Sequence, residues 1–446
     1  MSRRVVITGM GWVTPLGSDV SSVWSRLVAG QSGIGPITRF DASTFATDFA
    51  GEVRDFRLAD FLEPSADRPD HHRHAGLNSQ FALAAAAQAW RQAALGRWPG
   101  FDGTRMGIYL GAGEGSLDFE RFASTHLDGW DPARRAVDDG AWASAARGRL
   151  VAAVEMEQEP NTTLSHLAAE FGCRGPSFNC MTACAASTQA IGEAFEIIRR
   201  GDADLMFAGG SHTMIHPLGM TGFIRLTAMS TRRDTPTTAA RPFDSTRDGF
   251  VMGEGAGMLV LESLENALAR GAEPLAEIAG FGSSADAFRI TDIHSEAKGA
   301  QAAMSQACRQ AGIDPREPGE DGRPRVHYVS AHGTGTQEND RIETRAVKGV
   351  FGALAPRVPF SSVKSMIGHL IQAAGAVELM TCVQAIRTGI IPPTMNLHTP
   401  DPECDLDYVP NAARDLRTQG GVDVCLSNSF GFGGQNNTLC VRRYIA

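Results

Sequence analysis

Lysine is nearly absent from this chain of 446 residues. Three lysines, at positions 298, 348 and 364, stand against thirty-eight arginines. The two cations are not interchangeable, because lysine is a compact ammonium whose pKa shifts readily, whereas arginine stays charged. A chain that uses arginine almost everywhere is expected to keep lysine where a titratable ammonium is required. Lys364 is such a candidate, because it stands five residues before a histidine in a glycine-containing turn.

Four further observations restrict the classes of function that the chain could have. No stretch approaches the roughly 18 unbroken apolar residues of a transmembrane helix. The apolar run at the start is too short for a signal peptide, so we expect a cytoplasmic protein with no membrane partner. None of the eight cysteines forms a CxxC pair, which argues against a zinc ribbon or a disulfide framework. The formal net charge of −9 disfavours nucleic acid as a partner.

Short strands and amphipathic helices alternate along the chain. Apolar residues at spacings of three and four predict helices at 78–95, 185–200, 296–312 and 371–388. Val/Ile-rich runs ending near glycine predict strands at 5–7, 106–110, 205–208, 257–261, 325–329 and 438–441. The alternation indicates an α/β fold. Segments 116–162 and 314–324 are predicted to be loops or insertions.

The chain also carries a faint internal repeat. Residues 176–201 run from a strand through a polar turn into a small-residue helix that ends at Gly201. Residues 358–389 follow the same plan and end at Gly389. We therefore predict two similar halves, 1–265 and 266–446.

Cys184 is the strongest candidate nucleophile. It stands just before the predicted helix 185–200, surrounded by Ala, Ser and Thr that leave room for a substrate. A thiol at a helix N-terminus faces unpaired N–H groups and the positive end of the helix dipole, which is expected to lower its pKa. Cys173 and Cys180 are interpreted as small buried cysteines.

Two histidines occupy turns of the kind where α/β proteins place their sites. His332 follows a predicted strand, and His369 precedes the small-residue helix 371–388. Neither has a second ligand at helical spacing and no HExxH pattern occurs, so we expect no metal. The glycine-rich turn 428–436 is suited to point backbone N–H groups into a cavity as half of an oxyanion hole. The pair Gly9 and Gly11 lacks the spacing of a dinucleotide fingerprint, so we expect no nicotinamide cofactor.

Taken together, these segments resemble the β-ketoacyl-acyl-carrier-protein synthases, condensing enzymes of the thiolase superfamily, and most closely the type II synthases of bacterial fatty-acid synthesis. The likeness covers nearly the whole chain, and the order and spacing of its motifs make it very specific. The motifs are RVVITGMGWVTPLG at 4–17, the Cys184 segment, GDAD at 201–204, RPFDSTRDGFVMGEG at 241–255, HGTGT at 332–336, KSMIGH at 364–369 and NSFGFGG at 428–434.

The resemblance implies the thiolase fold, in which two βαβαβ halves form a five-layer αβαβα sandwich. It implies a decarboxylative Claisen condensation, in which an acyl group held on Cys184 reacts with malonyl-acyl-carrier protein in fatty-acid elongation. The implied partners are acyl- and malonyl-loaded carrier protein and a second subunit, identical or related. No resident cofactor is implied, because phosphopantetheine arrives on the carrier protein.

The resemblance also assigns roles to individual residues. Cys184 is the acyl acceptor, and His332 and His369 are the histidines of decarboxylation. Lys364 supports their electrostatics and Glu343 matches a carboxylate that pairs with this lysine. Backbone N–H groups of Cys184 and Phe432 form the oxyanion hole, and Phe432 is the gating aromatic. Matches to substrate-binding positions are Thr334, Thr336, Phe430 and Glu114.

Two departures concern substrate and carrier-protein recognition. Glu114 stands where many relatives place an apolar residue in the acyl pocket, and a carboxylate there disfavours a long saturated chain unless it is paired. We therefore expect a shorter or more polar acyl group, with Glu114 paired to an arginine as the alternative. Docking of the acidic carrier protein is expected at Arg68 and Arg73, with Arg225 as a further candidate.

Three alternatives to fatty-acid elongation remain. The nearest is a ketosynthase subunit of a type II polyketide or polyene pathway, paired with a cysteine-less chain-length partner. A non-catalytic thiolase-fold partner is disfavoured by the intact set of Cys184, His332, His369 and Lys364. A degradative thiolase is disfavoured because the second active cysteine of that family is missing.

Overall fold

The computed structural model describes residues 2–62, 71–113, 117–290 and 293–446. Its strands in these ranges are β1 (Val5–Val13), β2 (Gly35–Pro36), β3 (Phe49–Ala50), β4 (Met106–Ala112), β5 (Trp130–Asp131), β6 (Ala136–Val137), β7 (Ser177–Cys180), β8 (Leu205–His212), β9 (Gly255–Ser263), β10 (Ala276–Ala285), β11 (Tyr328–Ser330), β12 (Phe360–Ser361), β13 (Ile390–Ile391), β14 (Arg414–Asp415), β15 (Val424–Gly431) and β16 (Gln435–Arg442).

The strands are interleaved with helices that carry apolar faces. The α-helices of the described ranges are α1 (Val20–Val28), α2 (Leu77–Gln92), α3 (Phe119–Asp128), α4 (Asp139–Arg149), α5 (Ala152–Glu155), α6 (Pro160–Phe171), α7 (Ala186–Arg200), α8 (Pro217–Arg225), α9 (Leu264–Ala269), α10 (Lys298–Gln310), α11 (Gln337–Phe351), α12 (Lys364–Ile367) and α13 (Ala374–Thr388).

Strand order reveals the internal duplication. Ten strands form a sheet in the order β12-β11-β15-β16-β10-β1-β9-β8-β4-β7. Numbered along the chain within each half, β7-β4-β8-β9-β1 and β12-β11-β15-β16-β10 both follow the order 3-2-4-5-1. The two five-stranded units join edge to edge, because Val5–Ile7 pairs with Ala276–Ile278. The repeat predicted from sequence is therefore present, whereas its exact boundary at residue 265 stays a prediction.

Helices cover both faces of the two units. Helices α7 and α13 pack against each other between the units, α7 on β4 and β8 and α13 on β11 and β15. Helices α2 and α6 lie on the outer side of the first unit, and α10 and α11 on that of the second. The result is the five-layer αβαβα sandwich, and the fold class expected from the sequence is confirmed.

The burial of α13, β1 and β9 explains why their sequences are largely apolar. Residues 374–386 of α13 are all buried, as is typical of a helix that is apolar on every side. Every residue of β1 and β9 is also buried, and strands covered on both faces read as continuous apolar runs. These runs are what made the strands and the small-residue helix visible in the sequence.

Segment 116–162, predicted to be a loop or an insertion, contains regular secondary structure. Its described part, residues 117–162, contains α3, the short hairpin of β5 and β6, α4, α5 and the start of α6. Asp118 and Asp138 cap α3 and α4 by accepting the backbone N–H groups of Arg121 and Ala141. These helices are too short to show a sustained period, which is why sequence periodicity missed them. Segment 314–324, all of it described, contains turns and one isolated bridge but no helix or strand, as predicted.

Candidate active site

Cys184 lies in a tight turn between β7 and α7. The 3₁₀ turn Ala183–Ala185 leads directly into the helix, and Ala183 adopts a left-handed backbone conformation with φ of 47°. Such a conformation in a residue with a Cβ costs energy and is found mainly where the surrounding fold enforces it. A Cβ at Gly111 of β4 would overlap the backbone of Ala186, so glycine is required for α7 to approach the sheet. The sheet thereby fixes the position of the thiol.

His369 occupies the corresponding turn of the second half. It follows Gly368 and precedes the 3₁₀ turn Ile371–Ala373, which leads into α13. Ile371, like Ala183, has a left-handed conformation, with φ of 42°. The two turns pack against each other, because α7 and α13 start side by side in the central layer. The duplication therefore places a cysteine turn opposite a histidine turn.

His332 is brought to the same place by the loop that follows β11. Glu343 of α11 anchors this loop, because its carboxylate accepts the backbone N–H groups of His332 and Gly333, both at 2.8 Å. The side-chain amide of Asn428 donates a third hydrogen bond to Glu343 at 3.3 Å. Burial raises the pKa of Glu343 to about 7, and these hydrogen bonds act in the opposite direction.

The three side chains converge on one point. Their ligand atoms, the sulfur of Cys184 and one ring nitrogen each of His332 and His369, all lie within 4.8 Å of one another. The imidazole rings are nearly perpendicular, at an interplanar angle of 83°, with centroids 5.4 Å apart. All three residues are buried.

Lys364 lies next to His332, and its ion-pair partner differs from the predicted one. The ammonium contacts the carboxylate of Glu378 and donates a hydrogen bond of 2.6 Å to the backbone carbonyl of His332. Glu343, which the family resemblance paired with this lysine, instead accepts hydrogen bonds from the backbone N–H groups of His332 and Gly333. Glu378 was missed because it stands inside the apolar helix α13, where a single carboxylate does not disturb the pattern.

Contacts with Lys364 and with the backbone determine which ring nitrogen of each histidine carries the proton. Lys364 Nζ lies 3.5 Å from Nδ1 of His332, and the backbone N–H of Ile371 donates to Nδ1 of His369 at 3.2 Å. Burial, with the Lys364 charge acting in the same direction, holds the pKa of both histidines well below the ordinary value. Both imidazoles are therefore neutral, with Nδ1 accepting and the proton on Nε2.

The thiol of Cys184 does not behave as its position alone suggested. Burial raises its pKa to about 11, although Lys364 and the backbone N–H groups of Phe432 and Cys184 act in the opposite direction. The prediction of a lowered pKa was wrong, because removal from water outweighs the helix terminus. The two N–H groups nevertheless face the sulfur, where they are placed to bind an oxyanion that forms on a group attached to it.

A cavity of about 540 Å³ connects this centre to the surface. Its inner end is formed by the buried Cys184, His332 and His369, and its mouth by exposed residues that include Arg225 and Glu338. Four residues singled out in the sequence line the cavity: Thr334, Thr336, Phe430 and Phe432. Thr336 also caps α11 by accepting the backbone N–H of Asn339.

The remaining candidates lie elsewhere. Glu114 and Arg68 fall outside the described residues. Arg73 is exposed, donates to the ring of His74 and does not line the cavity. Arg225, at the end of α8, does line its mouth.

Among the described residues, Cys184, His332 and His369 also lie close enough together to be possible ligands of a metal ion. A cation at their centre would lie near the Lys364 ammonium, which already lowers the pKa of all three groups by electrostatic repulsion of protons. The arrangement therefore favours a group of developing negative charge.

Over the described part of the chain, no helix has the length and apolar character needed to cross a membrane.

Comparison with protein families agrees with this geometry. The family model described as "Beta-ketoacyl synthase, N-terminal domain" matches residues 2–267, and that described as "Beta-ketoacyl synthase, C-terminal domain" matches residues 275–398. The chain belongs to the β-ketoacyl synthase family. It is therefore an acyltransferase of the β-ketoacyl-acyl-carrier-protein synthase class, as the motifs indicated.

Full-length relatives and solved ketosynthase structures extend the match. The chain is 42% identical over 443 residues to 3-oxoacyl-[acyl-carrier-protein] synthase 2 of Synechocystis sp., covering 99% of this chain and 98% of the relative. It is 42% identical to the protein of the same name from Coxiella burnetii, covering 99% of each. A β-ketoacyl synthase from Burkholderia phymatum superposes with a TM-score of 0.84 at 33% identity, over 99% of this chain and 100% of that one.

A second solved structure is a type II polyketide ketosynthase. It was determined in complex with its acyl-carrier protein and bound to the hexaketide, and it superposes with a TM-score of 0.84 at 31% identity over 100% of both chains. The chain thus shares its fold with a β-ketoacyl synthase and with a ketosynthase of a type II polyketide pathway.

Proposed function

We propose that this β-ketoacyl synthase joins an acyl group held on Cys184 to malonyl-acyl-carrier protein with loss of CO₂, in fatty-acid elongation. The observation that carries the proposal is the convergence of one thiol and two imidazoles within 4.8 Å. Nδ1 of each ring faces a hydrogen-bond donor, which assigns the ring proton to Nε2. The names of the full-length relatives support fatty-acid elongation as the pathway.

The first half-reaction is transfer of the acyl group. The sulfur of Cys184 attacks the thioester carbonyl of an acyl-carrier protein and loses its proton, and the pantetheine thiolate leaves and takes up a proton. The negative charge that develops on the carbonyl oxygen is held by the N–H groups of Cys184 and Phe432. Because the thiol pKa is about 11, the resting group is the neutral thiol, and the thiolate forms only as the thioester reacts.

The second half-reaction is decarboxylation and condensation. Malonyl thioester loses CO₂, and the electron pair of the broken C–C bond passes into an enolate. Nε2–H groups of His332 and His369 are placed to donate hydrogen bonds to the enolate oxygen, and a donor held in a water-excluded site stabilises such charge strongly. The enolate carbon then attacks the acyl carbonyl, and the Cys184 thiolate leaves and is reprotonated. Burial, with the Lys364 charge acting in the same direction, keeps both imidazoles neutral, so that their Nδ1 atoms stay acceptors and the proton stays on Nε2.

The cavity mouth is where the carrier protein would deliver its pantetheine arm. Arg225 at the mouth is a cation that could contact an acidic partner, beside the carboxylate of Glu338, and Thr334 and Thr336 supply hydroxyl groups along the path. The reaction needs no resident cofactor, because the reactive thioester arrives on the carrier protein. We also propose a cytoplasmic location for the reaction.

The free edge of the sheet supports a dimer. Among the described strands, β7 pairs with β4 only and forms the outermost strand of the first unit. Phe178 in this strand is 49% exposed and Met181 just after it is 58% exposed. An exposed apolar edge is a template for pairing with another chain. We infer that β7 pairs with the β7 of a second copy.

A second candidate function is the ketosynthase of a type II polyketide pathway. Solved neighbours include the hexaketide-bound polyketide ketosynthase and the ishigamide ketosynthase/chain length factor, the latter at a TM-score of 0.83 and 32% identity. In that case a related subunit replaces the second copy at the β7 edge. Condensing activity of the purified chain alone favours fatty-acid elongation, and activity only with a related subunit favours the polyketide pathway.

Intact-protein mass spectrometry tests the chemistry directly. We expect an acyl adduct on the wild-type protein and on Cys180→Ala, a matched control in the same segment, and none on Cys184→Ala. Addition of malonyl-carrier protein should discharge the adduct as β-ketoacyl product. His332→Ala and His369→Ala should each form the adduct but discharge it about 10²–10³-fold more slowly, the cost of removing one preorganised donor. An adduct on Cys184→Ala, or prompt discharge by both histidine variants, contradicts the proposal.

A further inference from the structure

Two histidines on the outer side of the first unit face each other. His72 lies in the turn before α2, and His166 lies in α6, 94 residues further along the chain. Their Nδ1 atoms are 2.9 Å apart. We call His72 and His166 the histidine pair. Neither residue lines the cavity that holds Cys184, and the condensation described above does not use them.

The outer nitrogen of each ring is held by a carboxylate. Nε2 of His72 lies 2.9 Å from a carboxylate oxygen of Glu170, and Nε2 of His166 lies 2.9 Å from one of Glu157. Glu157 is itself held in place, because its other oxygen accepts the backbone N–H of Gly76. Histidines that bind metal ions almost always donate their second ring N–H in this way, which fixes the ring and makes the free nitrogen a stronger ligand.

These hydrogen bonds determine what must lie between the two rings. An ionised carboxylate only accepts, so each Nε2 carries the proton that it donates. Each neutral ring then directs an unprotonated Nδ1 at the other ring, and two lone pairs at 2.9 Å repel each other. A cation must therefore lie between the two Nδ1 atoms, either one additional proton or a metal ion.

The charge around the histidine pair favours a divalent metal ion over a proton. Glu157 and Glu170 contribute two negative charges, one behind each ring. One additional proton leaves one of these charges uncompensated, whereas a divalent cation balances both. The difference matters because the Glu157 side chain is only 6% exposed, and a buried charge without a compensating partner is costly.

The geometry of the histidine pair suits an ion of the zinc type. Two Zn–N bonds of about 2.0–2.1 Å at a tetrahedral angle separate the nitrogens by about 3.3 Å, so the rings need to move apart by only about 0.4 Å. Imidazole nitrogen is a preferred ligand of zinc, copper and nickel ions. The side chains of His72 and His166 are 14% and 12% exposed, so an ion can reach them from solvent.

A third imidazole lies beside the pair. The ring centroid of His71 is 4.6 Å from that of His72 and 6.3 Å from that of His166. His71 is exposed, so its side chain can reorient to supply a third nitrogen. Three protein ligands and one water molecule complete a tetrahedral zinc site.

We propose that the histidine pair binds a divalent transition-metal ion such as Zn²⁺, which joins the turn before α2 to α6. The two Nδ1 atoms bind the ion, and any proton that they shared is released to solvent. The expectation of no metal concerned His332 and His369, which are not part of this site. Sequence spacing could not reveal the pair, because its members come together only in the folded chain.

Zinc binding is measured by isothermal titration calorimetry on untagged protein. Cys184, His332 and His369 also lie close enough together to bind added zinc, so every protein tested carries Cys184→Ala. We expect one Zn²⁺ per chain. Hydrogen–deuterium exchange should show that zinc slows exchange in the segment 71–76, because the ion attaches this segment to α6.

Variants of the pair locate the bound ion. His72→Ala and His166→Ala should each abolish zinc binding, and Glu170→Gln should weaken it about tenfold or more, the usual cost of losing a carboxylate behind a metal-binding histidine. His332→Ala is the matched control, because it disrupts the other possible cluster of ligands and should leave zinc binding unchanged.

Two results would overturn the inference. One is the absence of zinc binding to the Cys184→Ala protein, which would assign a proton to the space between the rings. The other is zinc binding that survives His72→Ala and His166→Ala, which would place the ion elsewhere. If a histidine variant does not fold, unchanged zinc affinity in Glu170→Gln leads to the same conclusion. The readout is metal binding, so the proposed condensation stands or falls independently of these outcomes.

Discussion

Replacing Glu378 by glutamine should make Cys184 more reactive, although Glu378 does not touch the sulfur. Glu378 neutralises Lys364, and the lysine lies 3.5 Å from the ring of His332, which in turn is within 4.8 Å of the sulfur. At the roughly 10 Å that these contacts allow between carboxylate and sulfur, two unit charges interact by about 2 kcal/mol at an effective dielectric constant near 20. Loss of the Glu378 charge therefore lowers the Cys184 pKa by about one unit.

The effect on reaction rate is smaller than the effect on ionisation. At pH 8, well below the thiol pKa of about 11, a shift of one unit increases the thiolate fraction about tenfold. A less basic thiolate is also a weaker nucleophile, by about threefold per unit. The expected net result is alkylation of Cys184 by iodoacetamide about threefold faster in Glu378→Gln. Lys364→Met removes the opposite charge and should slow alkylation by a similar factor.

The pH dependence gives this prediction its sharpest form. Burial raises the pKa of Glu378 to about 7, so the wild-type carboxyl is charged at pH 8 but largely protonated at pH 6. The difference between wild type and Glu378→Gln should therefore be present at pH 8 and vanish at pH 6. Site-resolved mass spectrometry measures alkylation at Cys184, with Cys180 in the same protein as an internal control. Equal or slower alkylation of Cys184 in Glu378→Gln at pH 8 refutes the reasoning.

Two further predictions concern stability and assembly. Arg247 is fully buried and pairs with Asp340 at 3.3 Å and with Asp401 at 2.7 Å. In Arg247→Ala, Asp340 is left buried without its cation. We therefore expect the free energy of unfolding, measured by urea denaturation, to fall by about 3–5 kcal/mol. Arg417→Ala is the control, because it removes an exposed ion pair with Asp415, and it should leave the unfolding midpoint unchanged. Equal losses of stability in the two variants would contradict the special role of the buried Arg247 ion pairs. Phe178→Asp places a charge on the exposed edge of β7 and should convert the proposed dimer to a monomer in light scattering. A Phe178→Asp protein that remains dimeric would move the interface away from β7.

The reaction centre could be found from the sequence because its residues stand at strand-to-helix turns. Cys184 and His369 each precede a small-residue helix, and His332 follows a short buried strand, so local pattern and family resemblance pointed to the same positions. The rarity of lysine also singled out Lys364, which the structure places beneath His332. The fold class followed from the alternation of apolar runs and amphipathic helices.

What the sequence could not supply depends on contacts across the fold. Glu378 meets Lys364 only because α13 packs behind the turn that carries the lysine, and nothing in the local pattern of α13 marks this carboxylate. The thiol pKa was mispredicted for the same reason. The helix terminus is visible in the sequence, whereas the depth of burial of Cys184 depends on both halves of the molecule. The helices within residues 116–162, predicted as a loop or an insertion, were missed because they are short, although Asp118 and Asp138 cap two of them.

The two halves repeat the same architecture but divide the chemistry between them. The turn at the start of α7 carries the nucleophile, and the equivalent turn at the start of α13 carries a hydrogen-bond donor. A catalyst assembled from two identical halves would carry the same residue in both turns, either two thiols or two imidazoles. It could then not perform one of the two half-reactions. Divergence of the two repeats within a single chain removes that restriction. The covalent linkage of the halves thus guarantees that each molecule contains exactly one of each kind of turn, at a fixed distance and independent of protein concentration.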